Sequence, residues 1–172
     1  GIWRLLTGAA FLVFAISLVP GMFGGRLGEL DAYVPPPSQG GFLSGAASGG
    51  EKLVWMKNGY REALDRGRAE GKRIFVNFTG YACTNCHWMK SNMFTRPEIA
   101  EALRSYVLVD LYTDGSDAAS ELNQKVLDEK FSTSAIPYYA IIEPDGSVVA
   151  SFPGLTRKPD EFLKFLKSGI KI

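Results

Sequence analysis

The chain has 172 residues, 46% of them hydrophobic, with 19 basic against 18 acidic side chains and a formal net charge of +1. That length accommodates one ordinary core with appendages, and the balanced charge excludes a nucleic-acid binder that works through a basic surface. The two cysteines, Cys83 and Cys86, close too short a loop to remove much entropy from the unfolded chain, so their use is chemical rather than structural.

The first segment, residues 1–25, reads as a membrane span. Residues 5–25 carry no charge, and a helix of that length rises roughly 31 Å, enough to cross a bilayer core. Trp3 and Arg4 at one end and Arg26 at the other suit the two interfaces. The alternative is a signal peptide, with Arg4 as its charged region and residues 5–19 as its apolar region, although no clear A-x-A site follows. The chain opens on Gly1 rather than Met, which suits a piece of a longer protein with this helix as its last span. One arginine on each side leaves the orientation open.

Residues 26–52 read as a linker rich in Gly, Pro and Ser, locally stiff at Pro35, Pro36 and Pro37 and flexible after them. A globular domain is expected over 53–172. Its first helix is expected within LVWMKNGYREALDRGRAEGK, residues 53–72, where Leu53, Trp55, Met56, Tyr60, Ala63 and Leu64 fall on one side. IFVNF is a buried strand ending at Phe78, and helical character returns in NCHWMKSNMF. TRPE, residues 95–98, has the form of a capping box with proline in the first turn, opening a helix through IAEALRSY. YVLVDLY is a second strand, residues 116–130 a further helix, and the turn at Pro144, Asp145 and Gly146 joins two strands as a hairpin. The last helix runs from Pro159 to Gly169. This order predicts an α/β sheet with helices on both faces.

The motif CTNCH lies between the strand IFVNF and the next helix. As C-x-x-C-H it is a c-type haem attachment signature; as C-x-x-C between strand and helix it is a thiol–disulfide exchange centre. The preceding strand weighs against haem. A helix starting at Cys83 aims its free N–H groups at that sulfur and favours the thiolate, while Cys86 lies within the first turn, close enough to attack a mixed disulfide. Cys83 is thus the expected nucleophile and Cys86 the resolving thiol. His87 has three readings: a solvent-facing residue, a neighbour that tunes the thiolate, or a haem ligand. A closed zinc site would need more ligands than two Cys and one His supply, so no metal is expected. Trp88, Met89 and Met93 read as packing residues, and Lys90 and Asn92 as solvated ones. Pro137, in SAIPYY, stands where a cis bond can occur, with trans the ordinary alternative.

Residues 73–103, RIFVNFTGYACTNCHWMKSNMFTRPEIAEAL, with AIPYYAIIEPDG and FPGLTRKPDEFLKFL, resemble the C-terminal thioredoxin-like domain of the DsbD family of membrane thiol:disulfide interchange proteins. The resemblance covers about 120 residues, and the segment before them looks like that family's last transmembrane span and tether. It implies a thioredoxin-like fold with a central mixed sheet flanked by helices, preceded by one transmembrane helix and a flexible linker. It further implies a periplasmic domain at the bacterial inner membrane that takes electrons from a membrane-embedded dithiol carrier and reduces disulfides of periplasmic proteins. No cofactor is implied beyond the redox-active pair Cys83 and Cys86. By the same resemblance Pro137 is a cis-proline beside that pair, Ile136 offers its backbone to a partner, and Gly154 and Tyr81 line the groove. Two departures stand out. Asn77 occupies the position, six residues before Cys83, where relatives often carry a buried acid for proton transfer to and from the resolving thiol. Ala82 stands where many have tryptophan, with Tyr81 one place earlier. Three alternatives stay open: an oxidase or isomerase using the same residues, a haem electron carrier, and a module that only holds partners.

Overall fold

The computed structural model describes residues 1–22 and 53–170, with side chains of the first helix described through Ile16. The linker expected over 26–52 lies outside the described residues. The chain divides into two units, 1–50 and 51–172.

In the first unit a helix, α1 (Ile2–Met22), follows from a mostly apolar run without a charge after Arg4. Ile2, Trp3, Leu5, Phe11, Leu12 and Val13 are exposed on it. Among the described residues no helix is long and apolar enough to cross a membrane.

The second unit is built on a five-stranded mixed sheet. Its strands are β1 (Trp55–Lys57), β2 (Ile74–Thr79), β3 (Val107–Tyr112), β4 (Tyr138–Ile142) and β5 (Val148–Pro153), in the spatial order β1-β3-β2-β4-β5. β1, β3 and β2 run parallel; β4 and β5 are antiparallel to their neighbours. The helices are α2 (Tyr60–Glu70), α3 (Thr84–Trp88), a π-helical turn over Met89–Met93, α4 (Pro97–Leu103), α5 (Ala118–Phe131) and α6 (Pro159–Ser168).

Two sequence expectations change. The helix expected from residue 53 begins only at Tyr60, because Trp55, Met56 and Lys57 pair with Leu108, Val109 and Asp110 as an edge strand. Asn58 then takes a left-handed φ of 55°, which ends the strand and turns the chain into α2. The capping box at Thr95 does not form. Arg96 is the N-cap of α4, without a side-chain cap bond, and the Thr95 hydroxyl donates back to the Ser91 carbonyl at 2.8 Å.

β2 is buried along its whole length, and its two faces serve two cores. Ile74, Val76 and Phe78 join Val107, Val109 and Leu111 of β3 and Ala140 and Ile142 of β4, with Ala63 of α2 and Leu127 of α5 over them. On the opposite face Phe75 is fully buried at the centre of an aromatic cluster. Its ring centroid lies 6.0 Å from Trp55, 6.1 Å from Phe94, 6.0 Å from Tyr139 and 6.3 Å from Phe162. These contacts tie β1, the end of the π turn, β4 and α6 to one strand. Phe75→Ala therefore removes the shared partner of four elements and is expected to cost about 3–5 kcal/mol. The check is the denaturant midpoint at constant m-value; a loss below about 1 kcal/mol would show that the cluster is not cooperative.

Candidate functional site

The site lies where β2 ends. Its last residue, Thr79, is followed by Gly80, which is buried. A Cβ at position 80 would stand 2.5 Å from Asp114 Oδ2 and 2.7 Å from Ile136 Cδ1, so only glycine lets the loop carrying the cysteines pass between the β3–α5 loop and the segment before β4. Asp114 then fixes that loop: its carboxylate accepts from Tyr81 N at 2.7 Å and from Ala82 N at 2.9 Å.

Cys83 is the N-cap of α3, and the two sulfurs are joined in a disulfide with a Cα–Cα distance of 5.3 Å. The Cys86 backbone N–H donates to Cys83 Sγ at 3.2 Å, a bond that strengthens when the sulfur is anionic. The two cysteines differ in access: Cys83 is partly exposed, whereas Cys86 is 2% exposed. His87 Nε2 lies 2.9 Å from the Tyr81 carbonyl and, facing an acceptor, donates to it, so the imidazole holds the loop backbone. Trp88, Met89 and Met93 are buried against the sheet, and the Arg157 guanidinium lies 5.1 Å above the Trp88 ring.

Of the residues expected to line the groove, Ile136, Pro137 and Gly154 lie together. The Ile136–Pro137 bond is cis, Pro137 is buried, and Gly154 N–H donates to the Pro137 carbonyl at 2.9 Å. Gly154 has φ 79°, a backbone that glycine adopts without strain. Tyr81 is exposed, and its ring stacks on Tyr112 at 4.2 Å with Lys57 Nζ 5.0 Å from one centroid and 4.9 Å from the other. The hydrogen bond and charge of Tyr81 raise the Lys57 pKa above its ordinary value.

Asn77 introduces a group that motif reading missed. On the face beneath α3 and the π turn, Asp110 of β3, Asn77 of β2 and Tyr139 of β4 are in cross-strand register. Asn77 Nδ2 donates to Asp110 Oδ1 at 2.7 Å, and Lys90 Nζ donates to Asp110 Oδ2 at 2.8 Å and to the Tyr112 hydroxyl at 3.3 Å. Lys90, expected to be solvated, is instead half-buried and paired, because the π turn aims it back at the sheet. Asn92 is also partly buried, donating to the Trp88 carbonyl at 3.1 Å. The signal for Asp110 was a lone carboxylate inside the apolar run YVLVDLY, in step with Leu108 and Tyr112.

A thioredoxin-like domain description matches residues 60–170 of this chain. The chain belongs to the thioredoxin-like domain family. The thiol:disulfide interchange protein DsbD of Pseudomonas fluorescens is 27% identical over 177 residues, which cover 86% of this chain and 29% of that protein. The chain thus spans under a third of the length of this curated relative. The reduced C-terminal domain of Neisseria meningitidis DsbD has the same fold, with a TM-score of 0.52 at 20% identity over 66% of this chain and 99% of that one. So has a Thermus thermophilus thioredoxin, with a TM-score of 0.54 at 24% identity over 67% of this chain and 85% of that one.

The Asp114 clamp yields a direct expectation. Asp114→Ala leaves the Tyr81 and Ala82 amides without their carboxylate, a loss of about 1.5 kcal/mol of local stability and hence about tenfold faster hydrogen exchange at those two amides. NMR-detected exchange measures it. Unchanged protection at both would show that the loop is held by something else.

Proposed function

We propose that this chain is a thiol:disulfide oxidoreductase that passes electrons from a membrane-embedded dithiol carrier to disulfides of periplasmic proteins through Cys83 and Cys86. The observation that carries this reading is the asymmetry of the bonded pair: Cys83 is accessible and accepts a hydrogen bond from Cys86 N–H, and Cys86 is enclosed behind it. In the reduced state the Cys83 thiolate attacks one sulfur of a partner disulfide. The first partner thiolate leaves and Cys83 forms a mixed disulfide. The Cys86 thiol then gives up its proton, and its thiolate attacks the Cys83 sulfur, restoring the Cys83–Cys86 bond and releasing the second partner thiolate. Two protein thiols are oxidised and one partner disulfide is reduced to two thiols.

Several features support the finer parts. Pro137, Ile136 and Gly154 adjoin one another and the loop before Cys83, which suits an extended partner segment laid across the pair. Tyr81, one place before the position of the usual tryptophan, is exposed on the loop before Cys83. The similarity to DsbD extends over most of the chain. The donor is then a dithiol carrier in the membrane, within the same longer protein or beside it.

The test is disulfide reduction by the full chain, supplied with electrons through a dithiol. Cys83→Ser is expected to abolish turnover, and Cys86→Ser to accumulate mixed disulfides between Cys83 and periplasmic proteins. Retained turnover in Cys83→Ser, or trapping by Cys83→Ser in place of Cys86→Ser, would overturn the assignment.

A further inference from the structure

Dithiol exchange requires the buried sulfur to lose its proton before it can attack, because the thiolate is the nucleophile. Cys86 is 2% exposed, so its proton needs an acceptor within the protein. Asn77 is an amide and does not accept a proton at neutral pH. Asp110, 9% exposed, is the only carboxylate among the buried residues described.

Two neighbours place Asp110 in the row beneath the helix that carries Cys86. Asn77 sits directly opposite Asp110 on β2 and, since a carboxylate only accepts, must turn its Nδ2 to it, leaving its own Oδ1 free. That oxygen is buried and has no hydrogen-bond partner within the protein. From above, Lys90 follows Cys86 by four residues and reaches down to Asp110, so the cysteine and the lysine stand about one turn apart on the side of the helix facing this row. The third member of the row, the Tyr139 hydroxyl, does not compete for the proton: burial first, and the Asp110 charge second, push its pKa far above the ordinary value.

We propose that Asp110 is the proton acceptor for the Cys86 thiol, its carboxylate positioned by Asn77 and Lys90, so that the acid absent from position 77 is supplied from the neighbouring strand. This rests on the exchange function proposed above. During resolution the Cys86 S–H proton passes to the Asp110 carboxylate, the Cys86 thiolate attacks Cys83 Sγ, and the S–S bond to the partner breaks with its electron pair on the partner sulfur. Asp110 then returns the proton to that leaving thiolate. The reverse sequence protonates Cys86 when the pair is reduced. The ionisable groups around Asp110 are Lys90 from the π turn, Tyr112 from its own strand, Tyr139 from β4, and Lys57, its register partner on β1, whose ammonium lies over Tyr81 and Tyr112. Asn77, from β2, does not titrate.

The reduced full chain is mixed with Ellman's reagent between pH 5 and 9, which resolves two releases of the chromogenic thiolate. The first comes from attack by Cys83 and the second from attack by Cys86 on the mixed disulfide. Asp110→Asn is expected to lower the ratio of second-phase to first-phase rate by about a hundredfold near pH 7, and Asp110→Glu to restore part of it. Lys90→Gln removes the ion pair that positions the carboxylate and is expected to lower the same ratio with the first phase unchanged; it decides the matter if Asp110→Asn does not fold. A second phase with the wild-type rate ratio in Asp110→Asn, or in Lys90→Gln, would overturn the proposal. A wild-type chain that shows no second phase would instead overturn the exchange function itself.

Discussion

Everything in the thioredoxin-like unit depends on β2 being hydrogen-bonded on both edges. It pairs with β3 over Ile74 to Thr79 and with β4 over Ile74 to Phe78. A strand held on two edges cannot slip by one residue without exchanging its two faces. That register puts Phe75 in the aromatic cluster, Asn77 beside Asp110, and Gly80 at the point where the chain must leave the sheet. The cysteine loop inherits its position from this strand, and Asp114 and His87 then hold the loop backbone at Tyr81 and Ala82, the carboxylate on their amides and the imidazole on the Tyr81 carbonyl.

The polar row beneath α3 is costly to bury, and the structure shows how the cost is offset. Asp110 has a hydrogen bond to one carboxylate oxygen from Asn77 and an ion pair to the other from Lys90. Removing one partner from such a buried group typically costs about 3–5 kcal/mol, whereas an apolar replacement of the whole set would be close to neutral. Stability alone therefore gives no reason for a carboxylate, an ammonium and an amide at this place. A site where protons are exchanged does. The position of the row under the helix carrying Cys86, and not elsewhere in the core, points the same way. At the end of β3 an asparagine clamp fixes the strand that supplies the acid: Asn58 N–H donates to the Asp110 carbonyl, and Asn58 Oδ1 accepts from Tyr112 N and from Asn123.

Much of this unit was legible from sequence because its signals are local. The apolar run IFVNF, the proline-led last helix and the turn at Gly146 each mark an element through its own residues. The cysteine spacing marked the site, and the motif's place after a strand gave the position of Cys83 at a helix start. The edge strand at Trp55 was not legible: three residues with an apolar pattern equally suited to a helix became a strand only through pairing with β3. Lys90 was misread for a related reason. Its partner is 20 residues away on another strand, and the π turn that rotates it inward leaves no mark in residue type. The convergence of Gly80, Asp114, Ile136 and Gly154 is likewise a product of topology, as is the exchange of an acid at position 77 for one at position 110.

The direction of electron flow is the central claim, and the equilibrium reduction potential of the Cys83–Cys86 pair tests it most directly. The measurement equilibrates the full chain with dithiothreitol buffers of defined ratio and quantifies the oxidised and reduced forms. A protein that donates electrons to disulfides is predicted to lie toward the thioredoxin value of about −270 mV. A potential near the DsbA value of about −120 mV would contradict the account, because such a pair takes electrons from partner thiols and would act as an oxidant.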